Sequence, residues 1–280
     1  MTHTAVRSLF DVERYPAHEE NHASLQDIVA PIRHELATEG CARVPGFLDA
    51  DRLARISGEV AVLEHLAYHS PHRYNTAYGH GAEEGFEEGH PRRVLHRLSC
   101  GVVTRDRIPD EGTIVSLYRN PALKRFLATC LGLPVVHESA DPLRSIILNV
   151  MPDGGAFGWH YDAAEITVTL LTKAPEEGGV FEYCPGIRTP GNDNYEAVAA
   201  AFEGRYPGLK RLHLQPGDLH LFMGRHTLHR VTDVIGSRHT VVFGYDSLPG
   251  FVGRPESAQR FYGRIAQEHL DAERARYAAR

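Results

Sequence analysis

From Pro134 onward the chain is a succession of short apolar stretches cut by turn residues, and this texture limits the fold more than any other feature. The stretches fall at 134–138, 144–151, 157–161, 165–173, 180–184, 209–214, 218–223, 226–232 and 238–246. Many short strands at such spacing predict a sandwich or jelly roll rather than a parallel sheet with helices between its strands. One helix interrupts them, from Asn192 to Glu203, with Asn192 or Asp193 as its cap.

The first half reads differently. Residues 1 to 22 form an irregular lead-in. From Ser24 to Glu39 the apolar positions Leu25, Ile28, Val29, Ile32 and Leu36 recur at helical spacing, and Gly40 ends the run. Cys41 to Leu48 predicts a short strand closing on Pro45-Gly46. Asp49 or Asp51 can cap a second helix running to about His65, with Leu53, Ile56, Val60 and Leu63 as its buried stripe. A long Gly-, Glu- and His-rich stretch, Ala67 to Arg93, follows without periodicity; its aromatic residues Tyr68, Tyr74, Tyr78 and Phe86 fit a lid or substrate-facing loop, the alternative being a structural excursion. Leu95 to Thr104 predicts a strand, and Ile114 to Tyr118 and Pro121 to Leu131 predict helices, the second opened by proline and closed by Gly132. Glu256 to Ala279 reads as one long polar helix outside the core, offering a homodimer contact. The expected organisation is one catalytic domain: an N-terminal helical region with the lid-like loop (1–133), a jelly-roll core (134–250) and a C-terminal helix (251–280).

Composition narrows the function. A net charge of −6 and the lack of a basic stripe argue against a nucleic-acid partner. No apolar run approaches bilayer length, so no membrane partner is expected. The four cysteines (Cys41, Cys100, Cys130, Cys184) have no metal-ribbon spacing, and reduced thiols in a cytoplasm are the default.

The chemistry concentrates in Gly158-Trp159-His160-Tyr161-Asp162. His160 and Asp162 are two apart and can hold one metal ion from adjacent same-face positions. With 18 histidines and 36 acids in the chain, roughly two His-x-Asp/Glu pairs arise by chance. Three occur: His18/Glu20, His160/Asp162 and His269/Asp271. The first sits in a polar stretch and the last in a charged run that reads as a solvated helix. Only His160 lies between an apolar strand with its Pro152-Asp153-Gly154-Gly155 turn and a further strand.

For the second imidazole His213, His220, His226, His229 and His239 compete. His229 is preferred and His226 comes next. His229 leads through Arg230-Val231-Thr232 and a Gly236 turn into Arg238-His239-Thr240, and a hairpin of that length returns Arg238 and Thr240 towards the metal. Two histidines and one carboxylate suit non-haem Fe(II) and leave coordination positions open, while Arg238 offers a cation to a dicarboxylate cosubstrate.

Residues from about 141 to 250 resemble the iron(II)/2-oxoglutarate oxygenases with a double-stranded β-helix core, nearest to the bacterial branch of free-amino-acid hydroxylases and radical halogenases. The likeness is carried by Trp159-His160-Tyr161-Asp162, the run from Glu177 to Tyr183, Pro216-Gly217-Asp218, the run from Gly224 to Thr232, and Phe243-Gly244-Tyr245-Asp246. The resemblance implies a mostly β fold with flanking helices and a cupin-like jelly-roll core. It also implies Fe(II), 2-oxoglutarate and O2 as cofactor and cosubstrates, with His160, Asp162 and His229 as iron ligands and Arg238 with Thr240 on the far carboxylate of 2-oxoglutarate. In the halogenases of this branch a small residue replaces the carboxylate ligand; Asp162 fills that place here, favouring hydroxylation, or another oxidation such as desaturation, over halogenation.

The expected substrate is a small molecule, a free amino acid or amino-acid-derived metabolite. An amino acid calls for a cation and an acid, and Glu138, Asp141, Arg144, Arg73, Asn75, Arg92 and Arg93 are candidates. Trp159, the single tryptophan, either walls the cosubstrate pocket or packs in the core. A non-catalytic metal-holding barrel and a zinc hydrolase on a cupin-like barrel are the alternatives from other classes.

Overall fold

The computed structural model describes residues 9–10, 14–15 and 23–278, so most of the lead-in, including His18 and Glu20, lies outside the described residues. Helix α1 (Ala23–Glu39) buries Leu25, Val29 and Ile32 and stops at Gly40, whose φ of +67° is left-handed. After β1 (Cys41–Val44), α2 (Ala50–Leu63) begins at Asp49, which accepts the Arg52 N–H at 2.9 Å, and buries Ile56, Val60 and Leu63. The following loop holds two short strands, β2 (Tyr68–His69) and β3 (Tyr74–Asn75). The strand expected over 95–104 is in fact two, β4 (His96–Ser99) and β5 (Gly101–Thr104), which turn into different sheets at Cys100. Helices α3 (Thr113–Tyr118) and α4 (Pro121–Leu131) match their expected positions; Asn120 caps α4 and left-handed Gly132 ends it.

The second half supplies β6 (His137–Glu138), β7 (Ile146–Met151), β8 (Ala156–His160), β9 (Ile166–Lys173), β10 (Glu177–Gly178) and β11 (Phe181–Cys184). Helix α5 (Tyr195–Phe202) and strands β12 (Lys210–Leu212), β13 (Leu219–Phe222), β14 (Leu228–Val231), β15 (Val234–Ile235) and β16 (Arg238–Asp246) follow. The helix expected from Asn192 starts three residues late, because the Asn192 and Asp193 side chains bond to Asn194 N and Tyr195 Oη instead of capping it. The long C-terminal helix is broken into α6 (Pro255–Tyr262) and α7 (Gln267–Ala278) at Gly263, φ +70°. Nor is α7 wholly solvated: His269 is completely buried.

Two antiparallel sheets face each other in a jelly roll. The main sheet runs β1-β13-β9-β16-β7-β5-β2, with β6 also pairing β16, and the minor sheet runs β12-β11-β14-β8-β4-β3. The N-terminal region is therefore not a separate layer, since β1, β2, β3, β4 and β5 extend both sheets. Side-chain alternation divides the main sheet into two faces. Ile146, Leu148, Val168, Leu170, Leu219, Leu221, Val241, Phe243 and Tyr245 pack outward under α1 to α4 as one core. Their neighbours Asn149, Thr167, Thr169, His220, Thr240 and Val242 line a cavity between the sheets.

Phe47 closes the helical side of this core. It is fully buried, stacks on Phe10 at 4.9 Å between ring centroids and lies 6.4 Å from Phe126. Phe47→Ala is expected to cost about 3–5 kcal/mol, the range for deleting a buried aromatic, read as a lower urea midpoint; an unchanged midpoint would show that the aromatic cluster is dispensable.

Candidate metal centre

Strand β8 carries His160, the first residue of the candidate metal cluster, and a bulge sets which of its residues face the cavity. His229 pairs with His160 while Val231 pairs with Phe157, so β8 spends one more residue than β14 over this interval. The extra residue brings Phe157 and His160 to the cavity together, their rings stacked at 4.0 Å, as bulges beside functional sites do. Trp159 goes the other way. Its ring packs behind the minor sheet with Ala77, Cys184, Ile187, Val198, Ala201 and Leu228, under the Arg230 guanidinium. Its ring belongs to this packed cluster, and the residue also borders the cavity.

Cross-strand pairing sets the His160 and His229 rings 4.0 Å apart between centroids. Each Nδ1 is 2.8 Å from a carbonyl oxygen, Gly158 O for His160 and Thr227 O for His229. A carbonyl can only accept, so both Nδ1 atoms carry the proton and both Nε2 lone pairs are free for a metal. Asp162 Oδ1 lies 3.7 Å from one Nε2 and 3.6 Å from the other. Its second oxygen accepts from Thr167 Oγ1 at 2.6 Å, and Gly224 must be glycine here, because a Cβ would collide with both groups. One donor atom from each of the three residues lies within 4.8 Å of the others. The donor set, its spacing and its outer hydrogen bonds fit a 2-His-1-carboxylate iron.

Charge fits too. Burial pushes the His160 imidazolium down to about 3, leaving the ring neutral as a ligand must be. The Asp162 carboxyl lies below the ordinary carboxylate range despite its burial, and with both imidazoles neutral the Thr167 hydroxyl donating to Oδ2 is the contact that favours the carboxylate. Among the described residues His226 does not line the cavity and is not part of this cluster, so His229 supplies the second imidazole.

The cavity has a volume of about 300 Å³. Arg238 and Thr240 enter it from β16. Arg238 is buried, which lowers its pKa only to about 10, so it is cationic at neutral pH, and no carboxylate pairs with it among the described residues. His220 lines the same region; its Nε2 lies 2.8 Å from Cys41 Sγ, which the Tyr183 hydroxyl also reaches.

The substrate candidates divide. Asn75 lines the cavity, buried, with its side chain bonded to His72 O and Arg260 Nε. Arg73 and Glu138 lie off it, and Glu138 pairs with Lys124 at 2.7 Å. Arg92 also lies off it and closes the 67–93 loop onto the start of α5: it bonds Glu83, Asp193 and Tyr195 Oη and covers the Tyr78 ring at 4.4 Å. Asp141 is sealed in a buried network away from open space. Sequence reasoning missed His96, Arg188, and Ser257, Phe261 and Tyr262 of α6, which all line the cavity. The α6 residues carry no metal or cosubstrate motif, and only the chain's return over the barrel mouth brings them in.

A double-stranded β-helix with two histidines and a carboxylate at its mouth defines the class of the 2-oxoglutarate/iron(II) oxygenase fold. The sequence matches the family Halogenase D over residues 25–250, and the chain belongs to that family. Solved structures of similar fold include a 2OG-Fe(II) oxygenase family oxidoreductase from Burkholderia pseudomallei (17% identity, 83% of this chain and 93% of that one, TM-score 0.50). A prolyl hydroxylase from Trichoplax adhaerens, solved with a hypoxia inducible factor peptide, is similar at 15% identity over 81% and 94%, TM-score 0.51. The epimerase SnoN, solved with Fe3+, alpha ketoglutarate and nogalamycin RO, is similar at 16% identity over 79% and 84%, TM-score 0.53. A search of curated proteins finds no match.

The buried histidines make stability depend on acid. Burial depresses His220 to about 3 and His96 to about 4, against an ordinary 6.5. Between about pH 6.5 and 4 the unfolded chain therefore binds protons that the native chain refuses, and stability falls as pH falls, by up to about 1.4 kcal/mol per pH unit for each group. Urea midpoints of the metal-free protein should drop from pH 7 to pH 5; a flat profile would mean that these rings are solvated.

Proposed function

We propose that this chain is an Fe(II)- and 2-oxoglutarate-dependent dioxygenase that hydroxylates a C–H bond of a small molecule, a free amino acid or amino-acid-derived metabolite. The observation that carries the reading is Arg238: a buried, charged and unpaired guanidinium in the same cavity as the His160/Asp162/His229 cluster. An uncompensated buried charge costs several kcal/mol, at about the scale of breaking a buried ion pair, so the cavity is built for an anion. A dicarboxylate that reaches from the metal to Arg238 and Thr240 satisfies both ends.

His160, Asp162 and His229 would hold the iron, which when bound supplies the oxygen chemistry. The protein's own residues do the rest. Arg238 and Thr240 orient the far carboxylate by charge-assisted and hydroxyl hydrogen bonds. Phe157, Phe181 and Phe222 line the cavity around the two histidines and exclude water. Asp162 also bears on the reaction type. The family is named for a halogenase, yet here the carboxylate is present, anchored by Thr167 and accommodated by Gly224, in the place a halide would need. That favours hydroxylation. Among the described residues no helix is long and apolar enough to cross a membrane. With four buried, unpaired cysteines, we place the enzyme in a reducing cytoplasm, acting on a small molecule without a nucleic-acid or membrane partner; α7 is where a homodimer would form.

The test is succinate release by iron-loaded protein given 2-oxoglutarate, oxygen and pooled L-amino acids. Turnover with a product heavier by about 16 mass units, one oxygen atom, is expected. Asp162→Ala should abolish turnover. Arg238→Gln should weaken 2-oxoglutarate binding on the order of 100-fold, the effect of truncating a buried charge contact, read by calorimetry. Metal binding without any 2-oxoglutarate binding would instead indicate a non-catalytic barrel, and a chlorinated product would indicate a halogenase.

A further inference from the structure

Asp141 lies in the segment between β6 and β7, fully buried, and both its oxygens are saturated. Oδ1 accepts the backbone N–H groups of Leu143 at 3.0 Å and Arg144 at 3.1 Å. Oδ2 accepts the Gly253 N–H at 2.9 Å and lies 3.2 Å from His269 Nε2 and 3.0 Å from Arg144 Nε. The tautomer of His269 follows from its neighbours: Nδ1 accepts the Ala266 N–H at 3.1 Å, so the proton sits on Nε2 and is donated to Asp141. One carboxylate thus ties three distant segments together, with α7 attached through a completely buried histidine.

Arg144 is the member of this network that reaches open space. Its side chain is only 9% exposed, and it lines the cavity beside Ser257, Phe261 and Tyr262 of α6. Asp141 engages Nε alone. That contact is an ion pair at 3.0 Å without hydrogen-bond geometry, and among the described residues neither terminal nitrogen has a hydrogen-bond acceptor; the Tyr262 ring, 5.8 Å from the guanidinium carbon, is the fork's neighbour. The backbone is cleared for it: a Cβ on Gly253 would come within 2.5 Å of Arg144 Nη2. Arg144 and Tyr262 line the same cavity as His160, Asp162 and His229. Among the described residues four arginines line the cavity; Arg97 bonds Gly154 O and pairs with Asp233, and Arg188 bonds Arg225 O and pairs with Asp193, which leaves Arg238 and Arg144 as the two whose terminal nitrogens have no acceptor. The cosubstrate's far carboxylate can take only one.

We propose that Arg144 binds an anionic group of the substrate, a carboxylate in the first instance, and that Asp141 and His269 are positioning residues that aim the Arg144 fork into the cavity from beneath α6 and α7. The inference rests on the oxygenase reading, because it takes Arg238 to be occupied by 2-oxoglutarate. Asp141 is not the acid for a substrate amine, since it has no free lone pair facing the cavity. The C-terminal helices thereby become part of substrate recognition. They roof the site with Phe261 and Tyr262 and, through His269, fix the group that selects the substrate's charge.

The experiment uses full-length protein loaded anaerobically with iron and saturated with 2-oxoglutarate. L-amino acids and short organic acids are titrated calorimetrically beside their primary amides, and binders are then assayed for succinate release. The unaltered protein is expected to prefer acid over amide on the order of 100-fold, as for a lost buried charge contact. Arg144→Gln should bring that ratio close to one and leave 2-oxoglutarate affinity unchanged. Arg144→Lys should restore part of the preference, since it keeps the charge but not the fork. An acid-to-amide ratio near one in the unaltered protein would overturn the proposal without reference to any variant. So would an unchanged ratio in Arg144→Gln, or the absence of any carboxylate binder beside bound 2-oxoglutarate. If Arg144→Gln lost 2-oxoglutarate itself, Arg144 would belong to the cosubstrate. If the unaltered protein failed to bind 2-oxoglutarate at all, the oxygenase reading would fall first, and the substrate subsite with it.

Discussion

The two-residue alternation of the main-sheet strands governs most of what this molecule can do. In β7, β9, β13 and β16 every second side chain is apolar and packs under the helices, so the intervening ones must face inward. Those inward residues are largely polar: Asn149, Thr167, Thr169, His220, Arg238 and Thr240. The helices supply the hydrophobic stabilisation from one side. The other side is thereby free to carry groups that burial would otherwise penalise. A slip of one residue in any of these strands would exchange core and cavity faces.

On that scaffold the polar groups are held to different degrees. His160, His229 and Asp162 are each fixed by a hydrogen bond to a group that cannot move with the ligand: two backbone carbonyls and the Thr167 hydroxyl on β9. This outer layer sets the tautomers and turns all three donor atoms to one point, the usual way a protein orients metal ligands. Arg238 and Arg144 are left incomplete: each is largely shielded from bulk solvent, yet each presents donors to the cavity that no protein acceptor satisfies among the described residues. By contrast Arg92, also a cation near the cavity, is fully engaged with Glu83, Asp193 and Tyr195 and acts as a clamp on the loop.

Much of the site was legible in the chain. His160 and Asp162 stood out by their strand-and-turn context, and His229 by the short connection that returns Arg238 and Thr240. The structure brings the His-Asp-His cluster and both β16 residues to one cavity. The substrate side was far less legible. Glu138 and Asp141 looked alike as acids ahead of the metal strand, but one pairs with Lys124 at the surface and the other is buried against His269 from the far end of the chain. Trp159 adjoins His160 in sequence, and strand alternation turns its ring to the opposite face, into the cluster behind the minor sheet.

What the sequence determined by itself was local: short strands with turns, helix starts at Asp49 or Asp51 and at Pro121, and a metal motif whose first two members are near neighbours and whose third leads into a short hairpin. These follow from backbone geometry and from side chains acting within a few residues of themselves. Tertiary structure alone decided the rest. Division of residues 95 to 104 between two sheets and the meeting of Asp141 with Gly253 and His269 depend on contacts between segments far apart in the chain. A buried charge has no partner in sequence space; its partner is whichever group the fold brings within about 3 Å, the reach of a hydrogen bond.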